Sequence, residues 1–328
     1  MGGALSGTGP LIRLILRPDR LWLPLWPVLV AAFVSGPVAT IGALLPTAES
    51  RRAYAEDAAA NPAVLLMQGP AYDLSVGGLA AQQRAAATTV FAALAAVLLL
   101  IRHTRAEEHA GRGELIGAAP VGRHAPLTAA LTVVGAAGAL QGALITAALA
   151  GAGMPLDGSA AWGMIATGAA WVAAAIAAVA AQLTRTARAA ATAALGLFFA
   201  MYLVRGVSDL AGPGLSWLGW TVPNGWLLRA RPFGDERWWV FAPVLALCAA
   251  LVAAAYALAA RRDLGAGVAT ERPGPARAPR RLRSPLALAW RRERGAVAGW
   301  LAAAAAFGLA MGLGGQSARP VHAMPCRC

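Results

Sequence analysis

"TTVFAALAAVLLLIRHTRAEEHAGRGELIGAAPVGRHAPLTAALTVVGAAGALQGALITAALAGAG", residues 88–153, sets the architecture of this chain. Two apolar runs flank a polar segment, and residues 102–118 alone carry six charges and two histidines. A membrane helix needs about 20 apolar residues, because 1.5 Å of rise per residue must cross roughly 30 Å of hydrocarbon. Each flank approaches that length, so the stretch reads as two membrane helices joined by a charged loop.

The whole chain shares this character. Its 328 residues are 58% hydrophobic and only 13% charged, against roughly 25% charged in soluble domains. Apolar runs recur at about 21–45, 84–101, 126–150, 160–183, 189–210 and 240–260, and a seventh begins near 296 and reaches about 314. The reading is all-α: a polytopic membrane protein with a six-helix transmembrane bundle and the start of a second repeat. A net charge of +13 would suit a nucleic-acid partner, but the arginines sit between apolar runs, where membrane topology requires them. No nucleic acid is expected. If the N-terminus, 102–125, 184–188 and 261–295 share one side, that side holds 19 arginines and the opposite loops hold 7, while the acids divide 7 to 8. Positive charge stays inside, so the N-terminus is expected to be cytoplasmic in a bacterial plasma membrane. Trp22, Trp26, Trp238 and Trp239 stand at the ends of spans, where indoles favour the headgroup level.

Two further segments are too short or too broken to span. In "GPLIRLILRPDR", residues 9–20, Leu11, Ile12, Ile15 and Leu16 can share a helical face with Arg13, Arg17, Asp19 and Arg20 elsewhere, which suits an interfacial helix. Residues 212–239 are apolar but interrupted by Pro213, Pro223 and Pro232, which fits a short outer helix pair or re-entrant element. "LILRPDR" at 14–20, followed by Trp26, matches "LAWRRER" at 288–294, followed by Trp300, at a constant offset of 274. This is an internal repeat of the kind on which many transporters are built. The chain therefore divides into a first six-span unit (1–260), a Pro/Gly/Arg linker (261–284), the start of a second repeat with an interfacial helix and seventh span (285–314), and a tail of different composition (315–328). The tail, "GGQSARPVHAMPCRC", reads as a truncation or frameshift of a longer second half.

The sequence contains no lysine, so no residue can serve as the lysine of a P-loop G-x-x-x-x-G-K-[ST]. No catalytic constellation is present, and no directly bound cofactor or metal is expected. His103 and Glu107 are spaced i, i+4, with Glu108 and His109 adjacent, but these side chains face different ways on a helix. Cys248 reads as span packing, and three cysteines make no disulfide framework. Gly135, Gly138 and Gly142 suit close helix packing in lipid. Arg205 and Asp209 are spaced i, i+4 near the outer end of the fifth span and can pair, either as an interfacial ion pair or in a cargo or gating role. Ion-poor spans argue against a proton-driven transporter. A loop that only fixed topology would need its arginines; Glu107, Glu108 and Glu114 beside Arg112 instead suggest a docking surface for a soluble partner.

Several stretches in order resemble the type-2 ABC exporter permeases, the polyketide-antibiotic exporter-like group of high-GC Gram-positive bacteria. They are "RLILRPDRLWLPLW", "NPAVLLMQGPAYDLSVGGL", "RHTRAEEHAGRGELIGAAPVGR", "QLTRTAR", "RPFGDERWW", "RRDLGAG" and "RSPLALAWRRERGAVAGW". The resemblance covers residues 5–312. It implies a permease without its own ATPase domain, powered by a separate ABC ATPase subunit that supplies ATP, and exporting a hydrophobic small molecule. It further implies a second permease half or a homodimer. Arg105, Glu107, Glu108, Arg112 and Glu114 would lie on the coupling helix that docks the ATPase. Residues 9–20 would be the connecting helix, and Arg205, Asp209, Trp217 and Trp220 candidates for the outer gate. The alternative is a non-transporting membrane scaffold or truncated remnant.

Overall fold

The computed structural model describes residues 3–109, 120–261 and 284–316. Its helices are α1 (Thr8–Asp19), α2 (Trp22–Leu44), α3 (Ala48–Ala60), α4 (Pro62–Met67), α5 (Val76–Ile101), α6 (Ala125–Gly151), α7 (Leu156–Leu183), α8 (Ala187–Leu210), α9 (Pro223–Leu228), α10 (Phe241–Ala260) and α11 (Pro285–Gln316). A π turn (Arg102–Ala106) continues α5, and 3-10 turns occupy Gly212–Thr221 and Trp238–Val240. Among the described residues there is no strand. Six helices, α2, α5, α6, α7, α8 and α10, are long and apolar enough to cross a membrane. The protein is a polytopic all-α bundle.

α7 stands at the centre, with α5, α6, α8 and α10 packed around it and α2 against α5 and α6. Its sequence, "LDGSAAWGMIATGAAWVAAAIAAVAAQL", explains this place. Lipid tails are as apolar as leucine, so helices in a bilayer associate by close packing and small side chains rather than by escape from water. Gly142 of α6 and Gly163 of α7 meet backbone to backbone; a Cβ on either would overlap the other's carbonyl. Thr167 Oγ1 lies 3.2 Å from the Gly138 carbonyl and 3.1 Å from that of Gly163, while Trp171 Nε1 donates to the Gly135 carbonyl at 3.0 Å. The glycine row of α6 thus serves the close packing read from the sequence. Leu197 and Phe199 of α8 and Leu245 of α10 remain outside, as lipid-facing positions should.

On the far side from the N-terminus, α3, α4, the Gly212–Thr221 turn and α9 form a cap. Thr47 and Ser50 make a capping box for α3. Arg51 pins the neighbouring loops, its Nε donating to the Leu74 carbonyl at 2.9 Å and Nη1 to those of Leu45 and Pro46 at 3.1 Å. The broken segment 212–239 is indeed a pair of short helical elements. Within it Phe233 takes φ 66°, and its ring fills the space over Gly77 and Gly158 and meets Trp162 edge-on at 6.4 Å.

Three expectations need correction. α5 begins at Val76, capped by Ser75, rather than near residue 84. Its polar start is satisfied by protein: Gln82 Nε2 donates to the Gly69 carbonyl and Gln83 Nε2 to Tyr54 Oη, while Arg84 lies over the Phe33 ring. Of the four apolar residues on α1, Leu11 is buried and Ile12 and Ile15 pack beside it, but Leu16 is exposed and Asp19 is turned inward. The second repeat copy, expected as an interfacial helix followed by a span, is one helix, α11. The first copy breaks at Arg20 and Leu21 because Pro24 has no N–H for the Arg20 carbonyl and its ring crowds that oxygen. The corresponding residue of the second copy is Ala298, and Pro18 corresponds to Arg292.

Candidate functional site

The charged loop that opened the sequence reading is gripped at both ends by the amino-terminal segment. Leu11, Ile15 and Asp19 recur at i, i+4 and i+8, so one face of α1 carries all three toward the bundle. Asp19 has no exposed surface. One carboxylate oxygen pairs with Arg102 Nη2 at 2.8 Å and the other with His103 Nε2 at 2.6 Å. At the loop's other end the Gly122 N–H donates to the Ser6 carbonyl at 2.8 Å, and the His124 N–H to that of Ala4 at 3.0 Å. The backbones lie so close that a Cβ on Gly122 would overlap Ala4.

The π turn adds a cross-tie. Such turns re-aim side chains and recur at functional sites. Here Arg105 is turned into the protein with 1% exposure. Its Nη1 donates to Glu108 Oε2 at 2.6 Å, and its Nη2 to the carbonyl of Thr184, the residue that ends α7. The connections α5–α6 and α7–α8 are therefore joined through one buried guanidinium. Of the expected docking residues, Arg105 and Glu108 come together and Glu107 stands on the same turn, half-buried. Arg112 and Glu114 lie outside the described residues. Arg13, Arg17 and Arg20 of α1 are exposed, and Asp19 is parted from them.

A second cluster lies at the far end of α8. Arg205 has no exposed surface, which corrects the reading of an interfacial pair. Its Nη1 donates to Asp209 Oδ2 at 3.1 Å and its Nη2 to the Met67 carbonyl at 3.0 Å. Tyr202 Oη donates to the same carbonyl, and the Tyr202 ring lies 4.6 Å from the guanidinium. A charge in such a place is tolerated only when paired and hydrogen-bonded. Three residues on, Ser208 Oγ donates to the Ser216 carbonyl at 3.2 Å and accepts from the Gly219 N–H at 3.0 Å. α8 thus holds both halves of the far-side cap. Arg231 lies over the Tyr72 ring, whose hydroxyl is pushed above its ordinary value of 10.0 by burial and by the Asp209 carboxylate. Trp220 stacks on Trp239 at 5.5 Å beneath Arg229. Trp217 is exposed and apart from the Arg205 pair.

Residues missed in the sequence are Arg102, His103 and Thr184 at one end and Tyr202 and Met67 at the other. The i, i+4, i+8 placing of Asp19 behind Leu11 and Ile15 was the signal that could have found the first group. A backbone carbonyl leaves no trace in sequence, so Thr184 and Met67 had none. Among the described residues no three His, Cys, Asp or Glu side chains converge as a metal site. The arrangement makes and breaks no covalent bond; it joins loops.

An all-α polytopic bundle with tied loops on one side and a cap on the other is the architecture of a membrane transport component. Residues 282–323 match the family described as "Multidrug efflux system permease Rv1217c, C-terminal domain". Over 315 residues, 95% of its length, the chain is 40% identical to the multidrug efflux system permease protein Rv1217c of Mycobacterium tuberculosis (strain ATCC 25618 / H37Rv). The chain spans 56% of that protein's length. It is a relative of efflux-system permeases, and the resemblance read from the sequence holds.

Proposed function

We propose that this chain is the membrane-spanning permease subunit of an ATP-driven efflux system that exports a hydrophobic small molecule, with ATP hydrolysed by a separate ABC ATPase. The observation that carries the reading is the double grip on residues 102–124. A loop needed only for topology has no reason to be fastened at both ends and tied to a second loop. One that receives a push from a partner must not yield locally.

On this reading the N-terminal side is cytoplasmic, and the positive-charge asymmetry supports it. The ATPase docks on the turn carrying Arg105, Glu107 and Glu108 and on the following residues, including Arg112 and Glu114. As ATP draws the ATPase subunits together, the displaced loop carries α5 and α6 with it. Arg105 passes the displacement to the end of α7, the central helix, and α1 holds the loop to the inner leaflet. The far-side cap then opens through α8, whose Arg205–Met67 and Ser208–Ser216 bonds close it at rest. A second permease half or a second copy completes the pathway.

The test is affinity purification from host membranes with the tag at the end of a linker long enough to clear residues 4–7. The expected outcome is an ATPase retained by the native chain and lost from Glu107→Arg/Glu114→Arg at unchanged membrane insertion. Equal retention by both would remove the docking role. Absence of any ATPase in either would favour the scaffold reading.

A further inference from the structure

A cleft lies among α2, α5, α6 and α7, toward the amino-terminal side of the bundle. Leu23, Pro27, Ala92, Ala96, Val134 and Ala170 wall it, and about 290 Å³ of space lies between these atoms, open on one side. Its cause is local: three alanines of α5 and the Ala137–Gly138 pair of α6 are too small to fill the space beside Pro27 of α2.

Two polar side chains enter this apolar wall. Gln141 is 2% exposed, and its Nε2 finds no acceptor among the described residues. Trp26 Nε1, from the opposite wall, also finds none. An indole N–H can only donate, and a carboxamide always presents a donor whichever way it is turned. Buried donors without acceptors are costly, and native structures rarely leave two beside one space. No wall residue is charged, so nothing could compensate an ionised ligand.

We propose that this cleft is a ligand subsite for a neutral, mainly apolar molecule bearing carbonyl oxygen (a ketone, ester or lactone), which accepts from Trp26 Nε1 and Gln141 Nε2. As the cargo's first resting place it deepens the efflux reading and rests on it. A pure hydrocarbon would leave both donors unpaired and a charged amphiphile would lack a counter-charge, so the site selects for one chemistry within an otherwise permissive apolar wall.

The test uses the isolated permease in nanodiscs, without ATPase, so loss of the ATPase reading and loss of the cleft are separate results. Benzophenone serves as the probe: an apolar ketone that inserts into nearby C–H bonds on illumination. Saturable labelling is expected on residues 92–99 and 134–141, located by peptide mass spectrometry. Gln141→Leu, which keeps volume and removes the donor, should raise half-saturation roughly tenfold, as should Trp26→Phe. Diphenylmethane, the same skeleton without the carbonyl, should compete poorly. Circular dichroism of each variant, matching the native chain, confirms that the bundle is intact. Labelling spread over lipid-facing α8 and α10, unchanged saturation in both variants, or equal competition by diphenylmethane would overturn the proposal. Lipid esters carry the same carbonyl, so the assay is repeated in discs of diether lipid. Labelling that appears only there would show that bilayer lipid occupies the cleft and would also overturn it.

Discussion

A guanidinium with no exposed surface must find its counter-charge and acceptors inside the protein, and Arg205 finds Asp209, the Met67 carbonyl and the Tyr202 ring. Removing one member strands the other. Arg205→Met is expected to lower stability by about 3–5 kcal/mol, read as a fall in the thermal midpoint in detergent. The double variant Arg205→Met/Asp209→Leu should cost less than the single one, because no lone charge remains. Asp19 behaves differently, since Arg102 is half exposed and water can take over its hydration. Asp19→Asn keeps the shape and should cost about 1.5–3 kcal/mol through its weakened bond to His103. Its larger effect is expected on coupling: basal ATPase activity of the assembled complex retained, and stimulation by cargo reduced.

The elements differ in how plainly they could be read. α2, α6, α7, α8 and α10 lie within a few residues of their apolar runs, because a bilayer demands a certain length of uncharged helix whatever the neighbours do. α5 escaped at its start: Gln82, Gln83 and Arg84 look like a loop to any hydropathy rule, yet each meets a partner from another element. The same blindness hid the break between α1 and α2 and its absence in α11, which two prolines decide. Pro18→Arg/Pro24→Ala, the residues of the second copy, should fuse α1 to α2. Asp19 would then lose its place beside His103, and protease susceptibility of the α5–α6 loop in inside-out vesicles should rise severalfold relative to the native chain. Gly142→Leu attacks the opposite kind of element, one packed without side chains. It is expected to cost about 1–3 kcal/mol or more through overlap with Gly163 and Thr167, measured as loss of monodisperse protein on extraction.

At the scale of the whole molecule, the two ends have distinct work. The amino-terminal side is built from charge pairs that fasten loops, the far side from short helices held to α8. Sidedness is open to direct measurement. In a background without native cysteines, Ser50→Cys should react with an impermeant maleimide added outside intact cells, and Thr186→Cys only after permeabilisation. The class of fold was legible because composition alone forced it. The sites were only partly so: like-side charges such as Arg105 and Glu108 are close in sequence, whereas Asp19 and His103 are 84 residues apart, and only the closed bundle brings them together.

That separation has a consequence in the order of synthesis. Asp19 emerges early and has no partner until α2 has crossed, α5 has returned and His103 arrives on the side where the chain began. Ala4 and Ser6 wait longer still, until Gly122 and His124 follow. Were the first hairpin inserted the wrong way round, or α5 left outside the bilayer, the carboxylate and both waiting carbonyls would stay unmatched. The earliest residues of the nascent chain therefore inspect the insertion of its first two membrane crossings, and only a correctly threaded hairpin satisfies them.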